Sequence, residues 1–456
     1  MKKGLLLASM LVMGASAFAA KDPASYTLAN GMTFTNISMN TNYVGTWNSL
    51  EMKEVPNFNR VRTGCILDGK VYVTSSTVFA GDGTADGGVM MVFDAATGEF
   101  EKTLQLTLDG QPFPAKLLGV NTIGVDSFGH LYIGGMVGTF FSNNEDGSLT
   151  ANGLPLYHVT NPETGECTLI TNLCLDEDDE AYSGRVDYIN LIGDITRQEG
   201  RCVVMCSISG DYAAVGGWAC DQGEDEWYGH MSGDTATAYE YDSSCFYPEV
   251  VSFSTAGTVN IIEDESEDYN NFYCDEFNTR PTLLTTDGSS LGNFDGVEDE
   301  LQPKDSPTGC NEFTMGDDVY YLYPMNDYDG GALSNLVKLG PAATFEGMTH
   351  VVTFPASGMG ELGAGQGPRI QCYQADVVTD DNGKNGAYIF TFKSMNGFAY
   401  YLFAEEGFAG AGVDAAVVED VNAPVEYFNL QGISVANPEN GIFIRRQGNK
   451  VSKVTL

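Results

Sequence analysis

The sequence predicts an all-β fold, a β-propeller of about six four-stranded blades, from three observations. First, the 456 residues show almost no helical periodicity, whereas 54 Gly, 23 Tyr and 25 Phe residues accompany short apolar runs that end in turns. Second, a turn followed by a β-branched and aromatic strand recurs around Tyr72, Tyr132, Tyr320 and Tyr388. Third, a hairpin with a Thr-Gly-Glu turn follows the first two copies, at 97–99 and 164–166. Two hairpins per repeat make a four-stranded blade, which buries its faces against its neighbours.

A repeat spacing of about 63 residues then sets the starts of the blades. They are predicted near Arg62, Asn121, Arg185, residues 250 to 280, Asn311 and Arg369. The fourth repeat is the least visible, because residues 209–300 are rich in Asp, Glu, Ser and Gly, and a β-sandwich or second small β domain is the alternative there. The predicted organisation is a signal peptide at 1–20, a propeller-like domain at 21–420 and a small C-terminal β module at 421–456.

The N-terminal residues have the pattern of a cleavable secretory signal. Lys2 and Lys3 precede an apolar stretch from Leu5 to Met13, and small residues follow up to Ala19 and Ala20, where cleavage is predicted. The apolar stretch is shorter than the roughly 18 residues that a membrane-spanning helix needs, and no later segment is long and apolar enough. The protein is therefore predicted to be exported, to the outer-membrane surface or the medium, without a transmembrane segment.

The charge and cysteine content narrow the classes of partner. With 22 basic and 62 acidic residues the net charge is −40, which repels nucleic acid. The acidic runs are typical of solvated loops, and calcium is the one cofactor that such oxygen-rich loops would suit, although no run matches a calcium-loop motif. Cys202 and Cys206 share one apolar strand, where their Cα atoms lie about 13 Å apart and cannot pair. Small buried thiols are the interpretation that the cysteines favour.

No catalytic residue can be assigned from motifs, but a set of arginines is notable. Arg62, Arg185, Arg280 and Arg369 each stand near a predicted blade start in a chain with few basic residues, and Asn121 has the same position in the second blade. Because the first strand of a blade lines the central channel, these residues are predicted to form a polar ring that binds a carboxylate, sulfate or acidic sugar. The alternative is that each arginine pairs with nearby acids between blades.

The leading functional hypothesis is a secreted or cell-surface protein that binds an extracellular ligand, a glycan or a peptide. One alternative is a polysaccharide hydrolase or lyase that uses two carboxylates at the mouth of the propeller. Another is a structural adhesin, whose acidity mainly keeps it soluble.

The closing residues 425–456 resemble the C-terminal sorting domains of Bacteroidetes proteins that use type IX secretion. The matching motifs are "YFNLQG" and "NPENGIFI", and the tail carries four basic and two acidic residues, against the sign of the rest of the chain. Asn429 stands where the family typically has an acidic residue, so an ordinary terminal hairpin is the alternative. The resemblance implies recognition by export machinery through the motif positions Tyr427, Leu430, Gly432, Asn437, Gly441 and Ile444.

The repeat region resembles uncharacterised propeller-like surface proteins of the same bacteria. The segments "VRTGCILDGKVYV" and "GRVDYINLIGDI", which begin at Val61 and Gly184, carry this resemblance. It implies an architecture and a location at the cell surface but no known reaction.

Overall fold

The strands of the computed structural model form a β-propeller, which confirms the predicted fold class. The structure describes residues 22, 26–41, 61–75, 88–112, 120, 122–134, 154–173, 184–210, 214–229, 248–253, 272–276, 281–284, 290–303, 309–325, 332–356, 358–359, 370–394, 396–410, 425–428, 435, 442–447 and 450–455. Within these residues, five four-stranded sheets and one six-stranded sheet make six blades, and a three-stranded sheet lies near the C-terminus.

Blades 1 to 3 occupy the first half of the chain. Blade 1 has the strands β2 (Val61–Leu67), β3 (Lys70–Ser75), β4 (Val89–Asp94) and β5 (Phe100–Gln105). Blade 2 has β8 (Thr122–Val125), β9 (Leu131–Gly134), β10 (Leu154–Asn161) and β11 (Glu166–Leu173), extended by β6 (Thr107–Leu108) and β7 (Gln111–Pro112). Blade 3 has β12 (Gly184–Ile192), β13 (Cys202–Gly210), β14 (Ala214–Cys220) and β15 (Tyr228–Gly229).

Blades 4 to 6 complete the ring. Blade 4 has β16 (Pro248–Phe253), β17 (Phe272–Glu276), β18 (Thr282–Leu284) and β19 (Ser290–Gly292). Blade 5 has β20 (Asn311–Met315), β21 (Asp318–Pro324), β22 (Ser334–Lys338) and β23 (Thr349–Phe354). Blade 6 has β24 (Gln371–Thr379), β25 (Asn385–Lys393), β26 (Gly397–Ala404) and β1 (Thr33–Thr41). Single 3-10 turns occur at Ala29–Gly31, Asp299–Leu301 and Pro341–Ala343.

The first strands of the blades surround the axis, and each contacts the next around the ring, from β2 through β8, β12, β16 and β20 to β24, which returns to β2. The predicted blade starts are confirmed within two residues at Val61, Thr122, Gly184, Asn311 and Gln371. The stretch that favoured a β-sandwich contributes blade 4 instead, because β16 contacts β12 and β20 on its two sides. Four clusters of buried hydrophobic residues fill the blade interfaces, such as Tyr72 and Ile133 between blades 1 and 2.

The N-terminal strand closes the ring, a role that the sequence analysis did not foresee. β1 pairs antiparallel with β26, from Thr33 opposite Ala404 to Thr41 opposite Gly397. Gly397 has φ +105°, and a Cβ there would lie 2.1 Å from the Asn40 oxygen. Only glycine permits this close approach of the two chain ends.

A buried carboxylate fixes the segment that leads into β1. Asp22 is 7 % exposed, and its Oδ2 accepts hydrogen bonds from the Tyr401 hydroxyl at 2.8 Å, from the Tyr26 hydroxyl and from the Ala356 N–H at 3.3 Å. Its own N–H donates to Asn36 Oδ1 at 3.0 Å. Asp22 therefore ties the segment that precedes β1 to blades 5 and 6.

The C-terminal sheet comprises β27 (Val425–Phe428), β28 (Ile442–Gln447) and β29 (Lys450–Thr455). These strands pair antiparallel with each other, and no described strand of the propeller pairs with them. Of the sorting-motif residues, Tyr427 lies on β27 and Ile444 on β28. The others, and the predicted cleavage residues, lie outside the described residues: Leu430, Gly432, Asn437, Gly441, Ala19 and Ala20. Among the described residues, no helix has the length and apolarity to cross a membrane.

Candidate functional site

The candidate site is a cavity of about 680 Å³ on the propeller axis. It is lined by the innermost strands β2, β8, β12, β20 and β24 and by the turns that follow β2 and β8. Its wall mixes aliphatic residues with carboxylates and carboxamides. The polar members are Asp68, Asp126, Ser127, Asn190, Asn311, Glu312, Gln374 and Asp376. No Lys or Arg stands among its described lining residues, whereas Asp68, Asp126, Glu312 and Asp376 contribute carboxylates to the wall.

Two of the carboxylates point in different directions. Glu312 Oε2 accepts a hydrogen bond from the Tyr273 hydroxyl at 2.6 Å, which turns this side chain towards blade 4. Asp376 accepts from Gln374 Nε2 at 3.2 Å, and the Gln374 amide pairs with the N–H and C=O of Ile66 at 3.0 Å, towards blade 1. Different neighbours therefore hold the two carboxylates.

Asp376 is open to the cavity, yet its surroundings disfavour ionisation. The loss of bulk water beside the channel wall raises the pKa of its carboxyl, and the hydrogen bond from Gln374 opposes this effect. In its protonated form the group can donate a hydrogen bond, and in its ionised form it accepts one.

Deeper in the channel, the side chains are chemically inert. Burial raises the pKa of the Tyr188 phenol, and Cys372, Cys310 and Cys65 are its titratable neighbours. Burial also raises the pKa of the Cys372 thiol to about 12. Because the thiolate is the reactive form of cysteine, these thiols pack as small apolar groups.

The structure places the backbone of two predicted arginines beside the axis. Arg62 and Arg185 are the second residues of β2 and β12, innermost strands on which the ring was predicted. Asn121, Arg280 and Arg369 lie outside the described residues; in the sequence Asn121 directly precedes β8 and Arg369 closely precedes β24. Arg280 stands between β17 and β18, the second and third strands of blade 4, so its predicted place at a blade start is wrong. The ring itself stays a prediction.

The turn after β8 shows a feature that the sequence analysis missed. Asp126 Oδ1 accepts hydrogen bonds from the N–H groups of Phe128 and His130, both at 2.9 Å, and Oδ2 accepts from Ile195 N–H of blade 3 at 3.1 Å. The carboxylate thus closes its own turn and ties two blades together. The Asp-x-x-Gly spacing of Asp126 and Gly129 is the signal that could have revealed it.

The same turn recurs in blade 6. Asp380 Oδ1 accepts from the N–H groups of Asn382 at 2.8 Å and Lys384 at 2.9 Å, and Oδ2 accepts from Ala409 N–H at 2.8 Å. Lys384 therefore occupies the position that His130 has in blade 2. The repeated turn shows what the carboxylate contributes to structure alone.

The fold and cavity define a six-bladed propeller with an axial chamber of ligand size. No family model matches the chain, and no curated protein matches it. Among solved structures, a DUF4623 family protein from Bacteroides eggerthii is similar, with a TM-score of 0.50 and 13 % identity over 84 % of this chain and 77 % of that one. This similarity supports the propeller fold.

Two other solved structures show weaker similarity. Trypanosoma rangeli sialidase has a TM-score of 0.37 and 13 % identity over 75 % of this chain and 54 % of its own. A mutant of AofleA from Arthrobotrys oligospora has a TM-score of 0.40 and 10 % identity over 76 % and 86 %.

Proposed function

We propose that the protein is an exported binding protein that holds an extracellular glycan, rich in hydroxyl or amine donors, in the axial cavity. The observation that carries this proposal is the lining of the cavity by carboxylate and carboxamide groups without a described basic residue. Such acceptors bind neutral or amino sugars better than acidic ones, because a negative potential repels a second anion.

Support for binding over hydrolysis comes from the directions of the carboxylates. Glycoside hydrolysis needs two carboxyl groups that flank one bond, about 5–10 Å apart. Glu312 is engaged by the Tyr273 hydroxyl of blade 4, whereas Asp376 accepts from Gln374 on its own strand, so different neighbours hold the two carboxylates. Hydrolysis or elimination of polysaccharide is the second candidate, favoured by the raised pKa of the Asp376 carboxyl, which is a property of a general acid.

Export and surface attachment are part of the proposal and rest on the sequence. The N-terminal signal would direct secretion, and the tail that resembles a sorting domain would engage export machinery. Mass spectrometry of the protein from its native cells tests both, by the N-terminal residue and by the presence or loss of residues 425–456. An intact N-terminus in the cytoplasmic fraction would refute export.

Binding is tested with a panel of neutral, amino-sugar and acidic oligosaccharides, scored by calorimetry and by release of reducing ends. We expect binding of a neutral or amino sugar and roughly 10- to 100-fold weaker binding by Asp376→Ala, because a hydrogen bond to a charged group contributes about 1.5–3 kcal/mol. Asp381→Ala, an exposed carboxylate outside the cavity lining, is the matched control.

The other outcomes discriminate between the remaining hypotheses. Released sugar that Asp376→Ala abolishes would make the protein a hydrolase or lyase. Binding of acidic sugars alone, lost on Arg62→Ala and Arg185→Ala, would favour the predicted arginine ring over the acidic cavity. Binding that Asp376→Ala leaves unchanged would refute the proposed site.

A further inference from the structure

At the rim of the axial cavity, two buried carboxylates and an imidazole converge between blades 2 and 3. The side chains of Asp126 and Asp194 are 0 % and 1 % exposed, and His130 Nδ1 lies 3.0 Å from Asp126 Oδ2 and 3.4 Å from Asp194 Oδ1. One donor atom from each of the three side chains lies within 4.8 Å of the others. With a neutral imidazole, the group holds two negative charges away from water, and a bound cation would offset them in addition to the backbone N–H groups that donate to the carboxylates.

The surroundings supply little positive charge. His130 makes the only ion pairs with the two carboxylates among the described residues. The ring of His158 lies 5.5 Å from that of His130, so a second imidazole stands beside the group. The buried Tyr132 hydroxyl lies beside the Asp126 carboxylate and carries no positive charge.

We propose that Asp126, His130 and Asp194 bind a divalent first-row transition ion such as zinc. A zinc ion binds nitrogen and carboxylate oxygen at about 2.0–2.2 Å, which places neighbouring ligand atoms roughly 3.0–3.4 Å apart. The two separations from His130 Nδ1 fall in this range. Imidazole together with carboxylate suits zinc and related ions, whereas calcium takes oxygen ligands, so this site differs from the calcium loops that the acidic runs suggested.

The ligands are held in place by the backbone. Ile195 N–H donates to Asp126 Oδ2, and Asp194 accepts from Thr196 N–H at 2.9 Å and from the N–H groups of Gln198 and Glu199 at 3.0 Å. Such outer contacts orient metal-binding carboxylates. The His130 side chain is 35 % exposed, which leaves an entry path from solvent.

The turn of blade 6 provides the matched variant. His130→Lys copies Lys384, which stands in the same turn beside the Asp380 carboxylate. The lysine keeps the turn, removes the imidazole ligand and supplies a positive charge of its own. It therefore separates metal binding from the structural role of the aspartate.

The test is calorimetric titration of the mature full-length protein, purified without a polyhistidine tag, with zinc chloride and separately with calcium chloride. We expect one zinc ion per chain, affinity at least roughly 10- to 100-fold weaker in His130→Lys, and a zinc-dependent rise in the thermal midpoint that this variant lacks. His350→Ala, which removes an exposed histidine on blade 5, and Asp380→Asn should bind zinc as the wild type does.

Three results would overturn the proposal. These are the absence of saturable zinc binding by the wild type, equal binding by His130→Lys, and saturable binding of calcium with no binding of zinc. None of them bears on the glycan proposal, since the oligosaccharide panel is run with chelator present and absent.

Discussion

Asp22 should make a large contribution to stability, because its carboxylate anchors the strand that closes the ring. In Asp22→Ala the Tyr401 hydroxyl, which is 0 % exposed, loses its acceptor. An unsatisfied buried donor costs about 1–3 kcal/mol. The half-buried Tyr26 hydroxyl and the Ala356 N–H can recruit water and add roughly 1 kcal/mol together. We therefore expect a loss of about 2–4 kcal/mol in the free energy of unfolding.

The assay combines urea unfolding with hydrogen exchange of the β1 peptide, Thr33–Thr41. Exchange should rise in β1 and its partner β26 before other blades are affected, because the ring opens where its two chain ends meet. Asp381→Ala, an exposed carboxylate in the neighbouring turn, should leave both measurements unchanged.

A double-mutant cycle tests the assigned partner. Tyr401→Phe removes the buried donor, so the combination Asp22→Ala and Tyr401→Phe should cost at least about 1 kcal/mol less than the sum of the two changes. Strict additivity, or an Asp22→Ala variant within about 0.5 kcal/mol of the wild type with unchanged β1 exchange, would refute the role of this carboxylate.

Other measurements test the backbone, the turns and the thiols. Gly397→Ala should cost about 3 kcal/mol or more in urea unfolding, because its Cβ would meet Asn40 O at 2.1 Å, whereas Gly69→Ala, with φ +73° and no atom within 4 Å, should cost about 1 kcal/mol. Burial opposes ionisation of Asp194, but hydrogen bonds outweigh it and lower its pKa. Its ionised form thus stabilises the fold above about pH 4, and the loss of stability on further acidification should be shallower in Asp194→Asn. Burial raises the pKa of Cys206 to about 12, so iodoacetamide at about pH 8 should label the described cysteines only after unfolding, as read by mass spectrometry. These arguments would be contradicted if the two glycine variants lost equal stability, or if Asp194→Asn lost stability on acidification as steeply as the wild type. Rapid labelling of the thiols in the native protein would also contradict them.

The repeats could be predicted from the sequence because several blades contain the same strand and turn patterns. The strands around Tyr72, Tyr132, Tyr320 and Tyr388 lie second in blades 1, 2, 5 and 6, and both Thr-Gly-Glu turns join third to fourth strands. Alternating burial and a tight turn are local properties, so a single sequence contains them. Blade 4 was hidden because its strands, such as β18 and β19 with three residues each, are short within long polar stretches.

Ring closure and the candidate sites depend on contacts between distant residues. Thr33 meets Ala404, 371 positions away, and only the topology shows that blade 6 lacks a fourth strand without β1. Likewise, Asp126 and Asp194 lie in turns of adjacent blades, 68 positions apart in the numbering, and nothing in either turn specifies the other. The scattered histidines gave no motif, although His130 stands between these two carboxylates.

Both proposed sites include Asp126, whose hydrogen-bonded turn also occurs in blade 6. In blade 6 the turn carboxylate of Asp380 accepts two N–H bonds from its own turn, and the same bonds form around Asp126 in blade 2. At Asp126 the second oxygen also accepts Ile195 N–H, while Ser127 and Gly193 exchange hydrogen bonds between the same turns. These hydrogen bonds fix the backbone at the rim of the cavity. The same turn therefore accommodates Lys384 in blade 6 and His130 in blade 2, and the two side chains differ in charge and in their capacity to bind a metal. Functional groups held on such a frame keep their geometry, which is what both a sugar-binding cavity and a metal site require.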